Sequence, residues 1–166
     1  ARQRLFFIGV RNDLKKEPVF PTPNSNWITA KEAIEDLIDS DGPAPKGIND
    51  KLWDRLRPGQ NGSAIYKNKY FNHGKIDWNR PCPTIPKTVG DSFACLMHPV
   101  KKRLLSIAEL KRLASFPDNF RFTGTFNQQW ARIGNAVMPL QMKAIALTIK
   151  EEILNHGKRT EFNPIK

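Results

Sequence analysis

The densest chemistry in the sequence lies between Tyr66 and Arg80. There Tyr66-Lys-Asn-Lys-Tyr-Phe-Asn-His-Gly-Lys-Ile-Asp-Trp-Asn-Arg80 interleaves basic, amide and aromatic side chains. Lys67, Lys69, Lys75 and Arg80 are of the type that neutralises phosphates, and Asn68, Asn72, His73 or Arg80 carry groups that suit base edges in a major groove. The same composition also describes a solvated loop around a small aromatic cluster. Two arginines stand near the start as Arg2-Gln-Arg4, directly ahead of the apolar run Leu5-Phe-Phe-Ile-Gly9. Alone, they read as two exposed cations before a strand. Gly59-Gln-Asn-Gly62 has the spacing of a backbone clamp on nucleic acid, but after Pro58 it reads first as a plain turn.

Other enzyme signatures are lacking. The sequence holds no G-x-G-x-x-G or related glycine loop, no Walker loop and no G-x-S-x-G elbow. Its two cysteines, Cys82 and Cys95, form no C-x-x-C, and its 3 histidines include no pair at metal spacing, so no metal site is expected. On residues alone the chain reads as a basic binding module. Lys and Arg number 27 against 16 Asp and Glu, a net charge of +11, and an excess of this size favours a polyanionic partner such as nucleic acid. No apolar run approaches the roughly 18 residues of a membrane span. Neither a secretory leader nor a disulfide framework is evident, which points to a reducing, cytoplasmic setting.

The elements that must position these residues follow from period and punctuation. Residues 4–11 read as an apolar strand, and a chain opening on such a strand reads as part of something longer. Residues 14–29 read as loop. Thr29-Ala-Lys-Glu32 has capping-box spacing and predicts a helix to about Ile38. Gly42, Pro43 and Pro45 break the chain over 39–46, and a short helix follows at Asp50–Leu56. Residues 57–99 are expected to be irregular, with short strands near Ala64–Tyr66 and Thr84–Lys87; the 13 prolines favour such loops. Ser106-Ile-Ala-Glu109 is a second capping box, opening a helix to about Ser115 that Phe116-Pro-Asp118 ends. A further helix is expected at Gln128–Ile133, broken by Gly134-Asn135. Pro139 suits the first position of a final helix. Met138, Met142, Ile145, Ile149 and Ile153 then fall on one stripe, read as core packing.

Four segments together resemble DNA cytosine-5 methyltransferases. Arg2-Gln-Arg4 before its apolar strand resembles the end of the eighth motif, Gln-x-Arg-x-Arg, whose Gln would precede Ala1. Arg80-Pro-Cys-Pro-Thr-Ile85 resembles the Pro-Thr-Ile segment that closes the variable target-recognition region. Arg103-Leu-Leu-Ser-Ile-Ala-Glu-Leu-Lys-Arg-Leu-Ala-Ser-Phe-Pro-Asp-Asn-Phe120 resembles the ninth motif. Ala131-Arg-Ile-Gly-Asn-Ala-Val-Met-Pro139 resembles the tenth, with Arg132 where Gln is usual.

The resemblance implies an α/β fold: the C-terminal part of a Rossmann-like S-adenosylmethionine-dependent methyltransferase with a small, irregular α+β target-recognition domain. It implies that 1–13 end the catalytic domain, 14–100 form the recognition region, and 101–126 scaffold it. Residues 127–157 would return to the catalytic domain, and 158–166 form a polar tail. In the family a cysteine thiolate adds to C6 of a flipped cytosine, a Glu protonates N3, and C5 takes the methyl. By analogy Arg4 would donate to O2 of that base, with Arg2 in support. Gly134, Asn135, Ala136 and Val137 would line the methionine end of the cofactor pocket. Lys67, Lys69, Lys75, Arg80 and Thr84 would contact duplex DNA, and Arg103, Glu109, Arg112 and Asp118 would hold the scaffold.

The nucleophile and the catalytic Glu are not among these residues. Pro81-Cys82 echoes the family's Pro-Cys-Gln, but Pro83 follows and the segment lies after the eighth motif, so Cys82 reads as an ordinary residue. The expected role is therefore DNA recognition and closing segment, inactive alone. Its partners would be double-stranded DNA in the nucleoid and a catalytic N-terminal half, in cis or as a separate subunit. The rival reading is a non-catalytic DNA-binding or regulatory module of the same ancestry.

Overall fold

The computed structural model describes residues 5–23, 26–90 and 94–154. Of these, residues 26–90 with 94–138 form one compact unit, and 5–23 with 139–154 form a second.

The first unit is built by short, well-capped helices around a small sheet. Thr29 caps α1 (Ala30–Ile34) through the capping box that its sequence predicts, and a 3₁₀ turn carries the chain on to Leu37. Helix α2 spans Gly47–Arg55. Ser106 and Glu109 close the capping box of α3 (Ile107–Leu113). Helix α4 runs Phe126–Asn135, two residues earlier and two later than expected. The start was missed because Thr125-Phe-Asn-Gln128 is a third capping box. At the other end Gly134 and Asn135 lie inside the helix instead of breaking it.

The strands differ from expectation. Ala64 closes a 3₁₀ turn, Gly62–Ala64, whose Ser63 amide donates to the Asn61 side chain, and Thr84–Lys87 form no strand. Pro83 and Pro86 have no N–H to give a ladder, and the Pro86 carbonyl is taken by the Trp130 indole at 2.8 Å. The sheet instead pairs β1 (His73–Lys75) in parallel with β2 (Cys95–Met97), His73 opposite Cys95. Single bridges, Asn61 to Gly74 and Met97 to Leu104, widen it on both sides.

All three residues of β2 are buried. Side chains alternate along a strand, so β2 feeds two cores. Leu96 joins Ile34, Leu105, Leu110, Trp130 and Ile133, while Cys95 and Met97 join Leu52, Leu56 and Leu104.

In the second unit Pro139 opens α5 (Pro139–Thr148), which continues as a π-helical turn through Ile149–Leu154. Of the expected apolar stripe, Ile145 and Ile153 are buried and Met142 is 42% exposed. Residues 5–11 form no strand. Exposed Leu5 and Phe7 alternate with half-buried Phe6, Ile8 and Val10. A strand needs a neighbour for its N–H and C=O groups, and the described residues of this unit offer only helices. Among the described residues no helix is long and apolar enough to cross a membrane.

Candidate nucleic-acid interface

The basic and aromatic stretch separates into buried and exposed halves. Lys67, Asn68, Lys69, Phe71 and Asn72 are exposed on one loop, and Arg80 and Thr84 are exposed further along. Lys75 is not available to a phosphate. It is buried, its ammonium donates to the Trp53 and Leu56 carbonyls at 3.0 and 3.2 Å, and it sits 3.7 Å from the centre of the Trp53 ring. Those carbonyls end α2, where a helix lacks partners and favours a cation. Burial holds the Lys75 pKa below the ordinary lysine value. His73 is likewise withdrawn from base reading: it is buried, with Nδ1 2.6 Å from Asn49 Oδ1. Period two explains the loss, since a strand sends His73 and Lys75 to the same inward face.

The ninth-motif residues form an ionic lattice, buried at Arg103 and Glu109 and largely exposed around Arg112. Arg103 grips Glu109 with two nitrogens at 2.7 Å each and also donates to the Ile38 and Leu104 carbonyls. Glu109 is fully buried and also accepts from the Ser106 amide. Arg112 bridges Asp36 and Asp118, at 2.7 and 2.6 Å, joining the ends of α1 and α3. These two carboxylates hold the guanidinium above its ordinary pKa, Asp118 most strongly.

His98, which carried no motif signal, completes the lattice. Its Nδ1 accepts from the Val100 and Lys101 amides at 3.1 and 2.9 Å. The proton therefore sits on Nε2, which lies 3.5 Å from Glu109 Oε1 and has no hydrogen-bond partner. Burial pushes its pKa down to about 4, with Glu109 opposing and Arg103 and Lys101 assisting. His98 thus stays neutral and ties the Pro99–Lys102 turn to the floor of α3.

The tenth-motif residues end α4. Gly134 is buried, and a Cβ there would fall 2.4 Å from the Pro86 carbonyl oxygen. Asn135 and Val137 are exposed and Ala136 is half-buried. Arg132, in place of the usual Gln, donates to the Thr123 carbonyl. Arg2 and Arg4 lie outside the described residues. The described residues hold no cluster of His, Cys, Asp and Glu suited to a metal. Cys95 is buried, and burial pushes the thiol of half-buried Cys82 up to about 12.

Comparison with known proteins identifies the class to which this fold belongs. The chain belongs to the C-5 cytosine-specific DNA methylase family, whose model matches residues 1–151. Among curated relatives, the type II methyltransferase M.AgeI of Thalassovita gelatinovora is 38% identical over 91 residues, 55% of this chain and 20% of that one. M.Eco47II of Escherichia coli is 28% identical over 160 residues, covering 82% and 38%. M.AquIB of a Picosynechococcus strain is 30% identical over 109 residues, covering 58% of this chain and 76% of the relative. The chain thus spans about a fifth of M.AgeI and under two fifths of M.Eco47II. A solved E. coli prophage protein, described as a candidate DNA modification methyltransferase, shares the fold at TM-score 0.54 and 24% identity. The match covers 77% of this chain and 34% of the other.

Proposed function

We propose that this chain is the target-recognition and closing segment of a DNA cytosine-5 methyltransferase, and that it transfers no methyl group without a catalytic half. The observation that carries the reading is the placement of its thiols. The reaction needs an accessible thiolate to add to C6 of cytosine. The only two cysteines in the sequence are Cys95, buried in one core, and Cys82, packed against the other. Burial raises the Cys82 pKa and disfavours the thiolate that such an attack requires.

Residues 14–100 would then present the DNA-reading surface, and 101–126 its scaffold through the Arg103–Glu109 and Arg112–Asp118 pairs. Residues 127–157 would lead back to the catalytic half. Lys67, Lys69, Arg80 and Thr84 are the exposed candidates for DNA contact. Arg4 would donate to O2 of the flipped cytosine, supported by Arg2, as charge builds there. S-adenosylmethionine would supply the methyl group in the complete enzyme. Asn135, Ala136 and Val137 keep surface at the end of α4 and suit its methionine end, whereas Gly134 is occupied with Pro86.

M.AquIB favours a separate-subunit arrangement, because a match of 109 residues covers 76% of that relative. The alternative, a stand-alone DNA-binding module, is favoured by the charge of +11. Calorimetric titration of S-adenosylmethionine separates the two readings. No heat from the chain alone, with saturable binding after a catalytic half bearing the cofactor glycine loop is added, is the expected result. Tight duplex binding that is unchanged by that half, with no cofactor binding in the mixture, would favour the stand-alone module.

A further inference from the structure

The loop Tyr66–Asn72 is exposed at its tip and fastened at its stem. Tyr66 donates its amide to Gly62 O at 2.8 Å, Gly62 to Tyr70 O at 3.1 Å, and His73 to Tyr70 O at 3.0 Å. The Tyr70 ring stands edge-on to both Tyr66 and His73, with centroids 5.5 and 5.4 Å away. Gly62 admits this packing, since a Cβ there would fall 2.4 Å from Tyr70 Cβ. Arg55 binds the Tyr66 hydroxyl at 3.1 Å, and Asn49 holds His73 from below.

Two loop residues, Asn68 at the tip and Tyr70 in the stem, adopt left-handed backbone at φ 60° and 58°. Non-glycine residues hold such angles at a cost and only where the surroundings fix them. What this presents to solvent is Phe71, 66% exposed, and the Asn68 amide, flanked by Lys67 and Lys69. No acidic residue occurs between Asp54 and Asp77, while Arg55, Arg57, Lys67 and Lys69 all fall there with exposed side chains. A rigid, cationic tip carrying an apolar ring and a forked amide fits a duplex major groove better than an acidic protein surface, which would leave the ring and amide unused.

We propose that Asn68 and Phe71 are specificity-determining residues of this chain. Asn68 reads adenine through its N6 and N7, and Phe71 packs on the 5-methyl of a thymine. Lys67 and Lys69 hold the flanking phosphates and carry no sequence information. The pre-formed stem lowers the entropy lost on docking. This rests on the reading of the chain as the DNA-recognition part of a methyltransferase.

Selection from a duplex library with a randomised central segment tests it, using the full chain and its variants. The wild-type chain should enrich a motif with an adenine and a thymine. Asn68→Gly keeps the left-handed backbone at no steric cost, so it should lose only the adenine preference. Phe71→Ala should lose only the thymine preference, and Phe71→Leu should retain part of it. Replacing that thymine by uracil should weaken wild-type binding on the order of tenfold and leave Phe71→Ala indifferent. If Asn68→Gly and Phe71→Ala enrich the wild-type motif unchanged, the proposal is overturned and the recognition reading stands. If the wild-type chain enriches nothing, alone or with a catalytic half added, both fall.

Discussion

Gly134 and Pro86 are packed so closely that a single added methyl group at Gly134 would fall 2.4 Å from the Pro86 carbonyl oxygen. The Trp130 indole, one turn earlier on α4, donates to that same oxygen at 2.8 Å. The segment resembling Pro-Thr-Ile and the one resembling Gly-Asn-Ala-Val are thus one joint. The contact is backbone against helix and cannot yield by a rotamer change. Gly134→Ala should cost about 2 kcal/mol through overpacking, read as a lower Tm by scanning calorimetry with no ligand present. An unchanged Tm would mean that Gly134 is kept for a ligand and not for this joint.

The Arg103–Glu109 pair is buried and bidentate. Removing one partner leaves the other charge without compensation. Glu109→Ala should therefore destabilise the chain by about 3–5 kcal/mol. Urea unfolding would measure it, and a loss below about 1 kcal/mol would class the pair with surface bridges.

Stability should also fall in mild acid. His98 has a folded pKa near 4 against an ordinary value of 6.5. Between those values the unfolded chain takes up a proton that the folded chain refuses. The stabilising contribution is thus complete above about pH 6.5 and is lost as pH falls toward 4, by at most about 3 kcal/mol. His98→Gln should flatten the unfolding free energy across pH 4.5–6.5. An equal slope in both proteins would contradict this.

Exposed and buried lysines should part company in DNA binding. Lys67→Ala with Lys69→Ala should reduce the slope of log affinity against log salt by about two. Lys75→Met should leave that slope alone and lower Tm instead, because the Lys75 ammonium closes α2. Fluorescence anisotropy on one labelled duplex at several salt concentrations reads the first effect, and a thermal melt the second.

What the sequence disclosed was local chemistry. Thr29 and Ser106 announce their helices because a capping box is satisfied within four residues. Pro139 announces α5 for a similar reason. The sheet was hidden because β1 and β2 are three residues each and pair in parallel across a long crossover, too short for any period to emerge. Lys75 and His73 were misplaced for the same reason: only the pairing says which face is inward. His98 was invisible because its partners, Glu109 and the turn amides, are set by tertiary packing. The scaffold pair Arg103 and Glu109 stood out only through family resemblance, and its geometry required the fold.

Transfer of a labelled methyl group from S-adenosylmethionine to duplex DNA tests the central claim most directly. The chain alone should transfer none, and a mixture with a half carrying the glycine loop and Pro-Cys-Gln should transfer it to cytosine C5. Turnover by the purified chain alone would contradict the account, which assigns the nucleophile to that other half.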